Sequence, residues 1–321
     1  MSIESIDKYV LVSRAGKGVS GEVYFCVSQD EIVEACADTS DSAEELSKKL
    51  VNKIVAVKRS TGYFAPTLHN EVARMKAIGE SVEATGNTQS QFFQLLAYDI
   101  DDTSVAWMAT STFPICLSLE GFRSLGEMPE DFLWVCFTQL QQGLEFLHGV
   151  CDPTIVHCDL HLGNIVVGFP DAVPSGLPQV KIVDFGVAVL LHNDTQETAV
   201  LAEDNVAFLE LLHSLIHKWD GATCGDCADA TAPEPGEQSM IGKFHDDIVK
   251  QLEYGSGGFA RIRVGLWERF GDFATMRGAA VSKASEQNMQ GVIMDDFGSQ
   301  KREMEARLEE IIRERVQPLS Q

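Results

Sequence analysis

Positive charge is what this chain has least of. Its 321 residues hold 25 Lys and Arg against 48 Asp and Glu, a formal net charge of −23. Such a surface repels phosphate backbones and anionic headgroups. It argues against nucleic acid and membrane as main partners and tolerates or attracts basic ones, while solubility alone is the weightier reading. Long apolar runs are missing too. No stretch approaches the roughly 20 apolar residues that span a bilayer. The opening MSIESIDKYV lacks the basic segment and apolar core of a secretory signal. Cysteine is sparse: the eight at 26, 36, 116, 136, 151, 158, 224 and 227 are too few for a disulfide scaffold in a chain this long. Most sit in apolar runs, where a thiol acts as a small core side chain. Cys224 and Cys227 form a single CxxC, with His213 and His217 as the nearby candidates for a zinc site; a loop with two free thiols is the favoured reading. A reducing compartment, cytoplasmic or nuclear, is expected. What is present is an ordinary globular composition, 45% hydrophobic and 23% charged, with a length that suits two lobes around one cleft.

The first part of the chain reads as a small sheet with one main helix. YVLVSRAG and GEVYFCVS are strands on either side of a glycine turn, and KIVAVKRS, FFQLLAYDI and SVAWMATS are three more. Residues 29–52 interrupt them with an acidic excursion that ends in the helix-like SAEELSKKL. The periodicity predicts a helix over 67–78, with Leu68, Val72, Met75 and Ile78 on its apolar side. After Phe113-Pro114 the pattern turns helical. Residues 129–150 place Phe132, Val135, Cys136, Leu140, Leu144 and Leu147 along one face. Two short strands, NIVVGF and QVKIVDF, flank a Pro/Gly loop. An apolar helix over 203–219 precedes an acidic stretch, 219–240, with five carboxylates and no Lys or Arg, which reads as a solvated loop. The end, KREMEARLEEIIRERV, is amphipathic through Met304, Leu308 and Ile312. The class is α+β.

Four short motifs carry chemistry. Gly16-Lys-Gly18-Val-Ser-Gly21 can bring a backbone turn close to phosphates because no Cβ intervenes. A strand follows it rather than a helix, which argues against a dinucleotide-binding βαβ unit. Lys58 ends the apolar strand VAVK, and Glu71, thirteen residues on within a helix, can pair with it. In His157-Cys158-Asp159-Leu160-His161-Leu162-Gly163-Asn164, Asp159 can accept a hydroxyl proton and Asn164 can hold a metal ion. Asp184-Phe185-Gly186 puts a carboxylate at a strand end, suited to Mg²⁺. No single motif is highly specific: a hairpin turn explains the glycines equally well, a solvated strand end is the commoner role of such a lysine, a turn is the default for Asp-Phe-Gly, and only the His157–Asn164 string is rare, with His157 itself read as a structural histidine.

Their order and element context resemble the signature set of the protein kinase-like superfamily over about residues 9–218. The resemblance implies a two-lobed fold, an N-lobe over 1–112 and a helical C-lobe over 113–321. It implies ATP and Mg²⁺ as cofactors, with Gly16, Gly18 and Gly21 over the phosphates and Val23, Ala56 and Val166 about the adenine. Lys58 would hold the phosphates and pair with Glu71, Asp159 would take the hydroxyl proton, and Asn164 and Asp184 would bind the metal. Residues 109–113 would form the hinge, and Asp204 would hold the catalytic loop.

Several positions depart from that pattern. Cys158 replaces the arginine that pairs with a phosphorylated activation loop. Asp204 follows Asp184 by only twenty positions, and no Ala-Pro-Glu occurs. Ser20 stands where an aromatic often tips the glycine loop. The string His-x-Asp-Leu-His-x-Gly-Asn-Ile resembles the aminoglycoside and choline kinase branch. The favoured expectation is a divergent protein serine/threonine kinase. A small-molecule kinase for an amine- or alcohol-bearing acceptor is the second reading, and a nucleotide-binding pseudokinase scaffold the third. The acceptor, protein or metabolite, is expected to suit an acidic surface by being basic.

Overall fold

The structure, a computed structural model, describes residues 6–18, 21–37, 41–60, 64–86, 91–100, 105–125, 128–170, 178–191, 197–220, 239–254, 259–279 and 283–316. Strands β1 (Tyr9–Gly18) and β2 (Gly21–Ser28) form an antiparallel hairpin. With β3 (Val55–Ser60), β4 (Leu95–Asp99) and β5 (Ala106–Ser111) they build an antiparallel sheet in the order β1-β2-β3-β5-β4. Gly21 opens β2 at φ 152°, and a Cβ there would run into the carbonyl oxygen of Arg59 on the neighbouring strand. Glycine is needed at 21 by the close approach of β3 as well as by the turn.

Helix α3 (Ala65–Thr85) lies on this sheet, longer at both ends than its core periodicity predicts. Pro66 suits its first turn. The chain passes Gly79 without a break and stops at Gly86, which takes the left-handed conformation, φ 64°, that ends helices. Leu68 and Val72 pack on Ala106 and Met108, and Met75 and Ile78 reach the core below.

The acidic excursion folds into α1 (Gln29–Ala37) and α2 (Ala43–Val51). A capping box starts α2: the Ser42 hydroxyl accepts from the Glu45 N–H while the Glu45 carboxylate accepts from the Ser42 N–H.

The second half begins with β6 (Ile115–Ser118) and α4 (Leu119–Leu125). Helix α5 (Glu130–Glu145) follows and relaxes into a π turn at Phe146–Val150, so the predicted 129–150 helix ends early in its regular form. Strand β6 joins β8 (Ile165–Phe169) and β9 (Gln179–Ile182) in a three-stranded sheet, and β10 (Val189–Leu191) pairs with β7 (Thr154–Val156). Helices α6 (Glu197–Asp220), α7 (Met240–Tyr254), α8 (Phe259–Ala279) and α9 (Lys283–Val316) complete it. The core sits around α5, where Trp134 packs against Phe244 and Phe273 and Phe137 against Phe208. The α+β expectation holds: a small antiparallel sheet precedes a mostly helical part.

Two expectations change. The helix predicted over 203–219 begins at Glu197. The acidic stretch 219–240 is not loop at its ends: Trp219 and Asp220 close α6, and Met240 opens α7. Residues 221–238, with Cys224 and Cys227, lie outside the described residues, as does Ser20. Among the described residues no helix is long and apolar enough to cross a membrane.

Candidate active site

A cleft of about 530 Å³ opens between the five-stranded sheet and the three-stranded one. Gly16, Gly18 and Gly21 of the β1–β2 hairpin line it, with Val23 and Ala56 on the same sheet and Val166 on β8 opposite. Lys58, Glu71, Asn164 and Asp184 line it as well. Of the expected hinge, Ala109 is fully buried in the sheet's core, while Thr110 and Thr112 face the cleft. Alternation along β5 is the reason: neighbouring residues of a strand point to opposite faces.

Lys58 is the polar centre. Its Nζ lies 2.6 Å from Glu71 Oε2 and 2.8 Å from Asp184 Oδ1. Glu71 reaches it because α3 turns Leu68, Glu71, Val72 and Met75 to one buried face. A glutamate in an apolar helix stripe must find a cation. Burial pushes the Glu71 carboxyl up to about 7, against the pull of the ammonium, and the Asp184 charge adds to the rise. Burial alone would lower the Lys58 pKa; the carboxylates of Glu71 and Asp184 outweigh it, and the net shift is upward. One ammonium thus serves two carboxylates.

The loop that carries Asp159 hangs on Asp204. The fully buried Asp204 carboxylate accepts the backbone N–H groups of His157 (2.8 Å) and Cys158 (2.9 Å) and lies 2.9 Å from His148 Nε2. Burial would raise its pKa, but those three hydrogen bonds hold it below the ordinary carboxylate range. His157 is buried with both ring nitrogens satisfied. Nε2 donates to the Val183 carbonyl (3.0 Å), and Nδ1 accepts the Asp159 N–H (3.3 Å). Those bonds set a neutral tautomer, and burial pushes the imidazole pKa down. The ring also packs on the fully buried Phe185, centroids 5.0 Å apart. Among the described residues, the non-glycine positions with positive φ are Cys158 (61°) and Asp184 (66°). Each such residue holds about 1–3 kcal/mol of strain, which gathers where side chains must be aimed.

Asn164 ties the loop together. Its Nδ2 donates to the Asp159 carbonyl (2.9 Å) and Asp159 Oδ2 (3.2 Å), and its carbonyl accepts the Val183 N–H (3.0 Å). Asp159 itself does not line the cleft; its half-exposed carboxylate stands beside Asn164, with His161 Nε2 3.8 Å away. The segment after Asp184 is brief: Arg74 of α3 bonds the Ala188 carbonyl, and β10 pairs with β7 directly.

Comparison with known proteins gives partial likenesses. A receptor-like serine/threonine-protein kinase of Arabidopsis thaliana is 33% identical over 117 residues, 32% of this chain and 17% of that protein. Mitogen-activated protein kinase kinase 1c of Physcomitrium patens is 32% identical over 114 residues, 33% of this chain and 30% of that protein. The chain therefore spans under a third of the length of these relatives. No family model matches. The likenesses support a kinase-like family at most.

Sequence reasoning missed the cleft residues Met108, Cys116 and Glu120, and Gln300 of α9. For Gln300 the one signal is that an amide interrupts the apolar face that continues through Met304. Asp204 invites a direct test. Asp204→Ala leaves two buried backbone N–H groups without an acceptor, and unfolding is expected to become easier by about 3–5 kcal/mol. Because the folded pKa is depressed, the contribution of Asp204 is present above the ordinary carboxylate range and lost as pH falls through the depressed value. Denaturant titrations from pH 7 to pH 3 should show a flatter acid limb in the variant. Equal stability of the two proteins at pH 7 would remove Asp204 as the support of the loop.

Proposed function

We propose that the cleft binds ATP with Mg²⁺ and that the protein transfers the γ-phosphate to a hydroxyl, as a divergent serine/threonine kinase. The observation that carries this is the buried Lys58 ammonium held between Glu71 and Asp184 beneath a glycine hairpin. Phosphoryl transfer is mostly positioning and charge neutralisation. Lys58 supplies a fixed positive charge for the phosphates. Asp159 orients the acceptor hydroxyl and takes its proton late.

The donor set suits a hard cation. Asn164 gives its N–H groups to Asp159, which leaves the amide oxygen for a metal, and Asp184 adds a carboxylate. Among the described residues no group of three or more His, Cys, Asp or Glu could hold a metal ion. Mg²⁺ does not ask for one: it takes one or two protein ligands and completes its shell with phosphate and water. When bound, it neutralises charge on the phosphates.

The short connection from β10 to α6 favours a second reading, a small-molecule acceptor. It leaves little chain for docking a peptide, and the charge of −23 suits a cationic metabolite. Labelled ATP with Mg²⁺, offered a peptide library and a metabolite panel side by side, separates the readings. Label on peptide Ser or Thr supports the first, and label on metabolites alone supports the second. Nucleotide binding without transfer leaves a scaffold.

A further inference from the structure

Helix α3 carries a second row of residues beside the apolar stripe that packs on the sheet. Thr67, Glu71 and Arg74 stand at i, i+4 and i+7, so helical spacing puts them on one side. This row meets the turn from Asp184 to Ala188 at three places. Thr67 lies so close to Gly186 that a Cβ there would come within 2.5 Å of the Thr67 methyl carbon. The Glu71 carboxylate accepts the Phe185 N–H as well as pairing with Lys58. Arg74 Nε donates to the Ala188 carbonyl across 3.1 Å.

The turn has to be held. Asp184 keeps a φ of 66°, and such strain in a residue with a Cβ lasts only where the surroundings impose it. Upstream, the Val183 N–H bonds the Asn164 carbonyl, and the Val183 carbonyl accepts from His157. Downstream, the Ala188 N–H closes the turn onto the Phe185 carbonyl across 3.2 Å, and β10 starts at the next residue. Val187 is 53% exposed, so the outer side of the turn is open to solvent. The α3 row braces the inner side, and Arg74 holds its far end. A guanidinium N–H donating to a carbonyl is a charge-assisted bond, the stronger kind.

We propose that Arg74 is a positioning residue: by holding the Ala188 carbonyl it keeps the turn closed and Asp184 aimed at the metal of a bound nucleotide. This rests on the reading that the cleft holds nucleotide with Mg²⁺. Arg74 does not line the cleft, so it acts through Asp184 and touches neither base nor phosphate. Loss of the bond therefore weakens the hold on the metal and spares the contacts to the base. The expected size is about tenfold, the low end for a hydrogen bond made by a charged group.

The test compares the full chain as wild type, Arg74→Met and Arg74→Gln. Methionine removes the donor; glutamine keeps an N–H the same number of bonds from the backbone as Arg Nε. Hydrogen exchange of the free protein is the first readout. The amides of Phe185 and Ala188 should exchange about tenfold faster in Arg74→Met, with those of β2 and β3 unchanged and Arg74→Gln close to wild type. Calorimetry with a non-hydrolysable ATP analogue is the second. The Mg²⁺ concentration for half-saturation should rise about tenfold in Arg74→Met only, while affinity for the analogue without Mg²⁺ stays the same in all three. Arg74→Leu stands in if Arg74→Met does not fold. Unchanged exchange, or faster exchange with an unchanged Mg²⁺ requirement, overturns the proposal. So does an equal loss of affinity with and without Mg²⁺, which makes Arg74 a general structural support, or a glutamine variant as impaired as the methionine one. Each of these leaves the nucleotide reading standing. Failure of wild type to bind the analogue overturns that reading, and this proposal with it.

Discussion

Lys58→Met should lower phosphate transfer by about 10²–10³-fold, the scale seen when one fixed charge-stabilising group is removed. Methionine keeps the length of the side chain and loses its charge, so the phosphates lose their cation. The same change leaves Glu71 buried at 3% exposure without its partner. An uncompensated buried charge costs about 3–5 kcal/mol. Glu71 has a way out, because its carboxyl already titrates at about 7 and protonates more readily once the ammonium is gone. A carboxyl whose folded pKa lies above its unfolded one stabilises at low pH and loses that contribution as pH rises. The destabilisation of Lys58→Met should therefore be small at pH 6 and larger at pH 8.5. Unfolding titrations at the two values, beside single-turnover transfer assays, check both parts. Transfer at the wild-type rate would remove Lys58 from the proposed mechanism.

Asp159→Asn should lower transfer by about 10²–10⁴-fold, the range for loss of a general base, with nucleotide affinity kept. The separation of the two effects follows from where Asp159 stands. Its carboxylate is 51% exposed and does not line the cleft, while Lys58, Asn164 and Asp184 do. The backbone carbonyl of residue 159 still accepts from Asn164, so the loop keeps its shape. Stability should stay close to wild type, since no buried charge loses a partner. If transfer persists unchanged, the activity measured does not come from this site. If affinity for ATP collapses together with transfer, Asp159 holds nucleotide and is not the base.

The α1–α2 excursion has a role that no local pattern announces. Its inner residues Ile32, Leu46, Leu50 and Val51 bury against the last turns of α9. Taken by themselves they read as an acidic interruption between two strands, and only the return of the chain's far end gives them a partner. The same return brings Gln300 to Cys116, 184 residues away in sequence.

The sequence by itself determined the elements and the chemistry each could carry. Alternation marked the strands, and the stripe Leu68, Val72, Met75 and Ile78 marked the helix that holds Glu71. Glycine spacing marked the hairpin. These signals are local: periodicity acts over a few residues, and one turn or one strand suffices to express it. Tertiary structure alone decided that Lys58 meets Asp184 across 126 positions, that Cys158 and Asp184 take strained backbones, and that a glutamine from the final helix forms part of the cleft wall. Such contacts depend on how whole elements stack, and no short stretch of residues encodes how a helix will lie on a distant sheet.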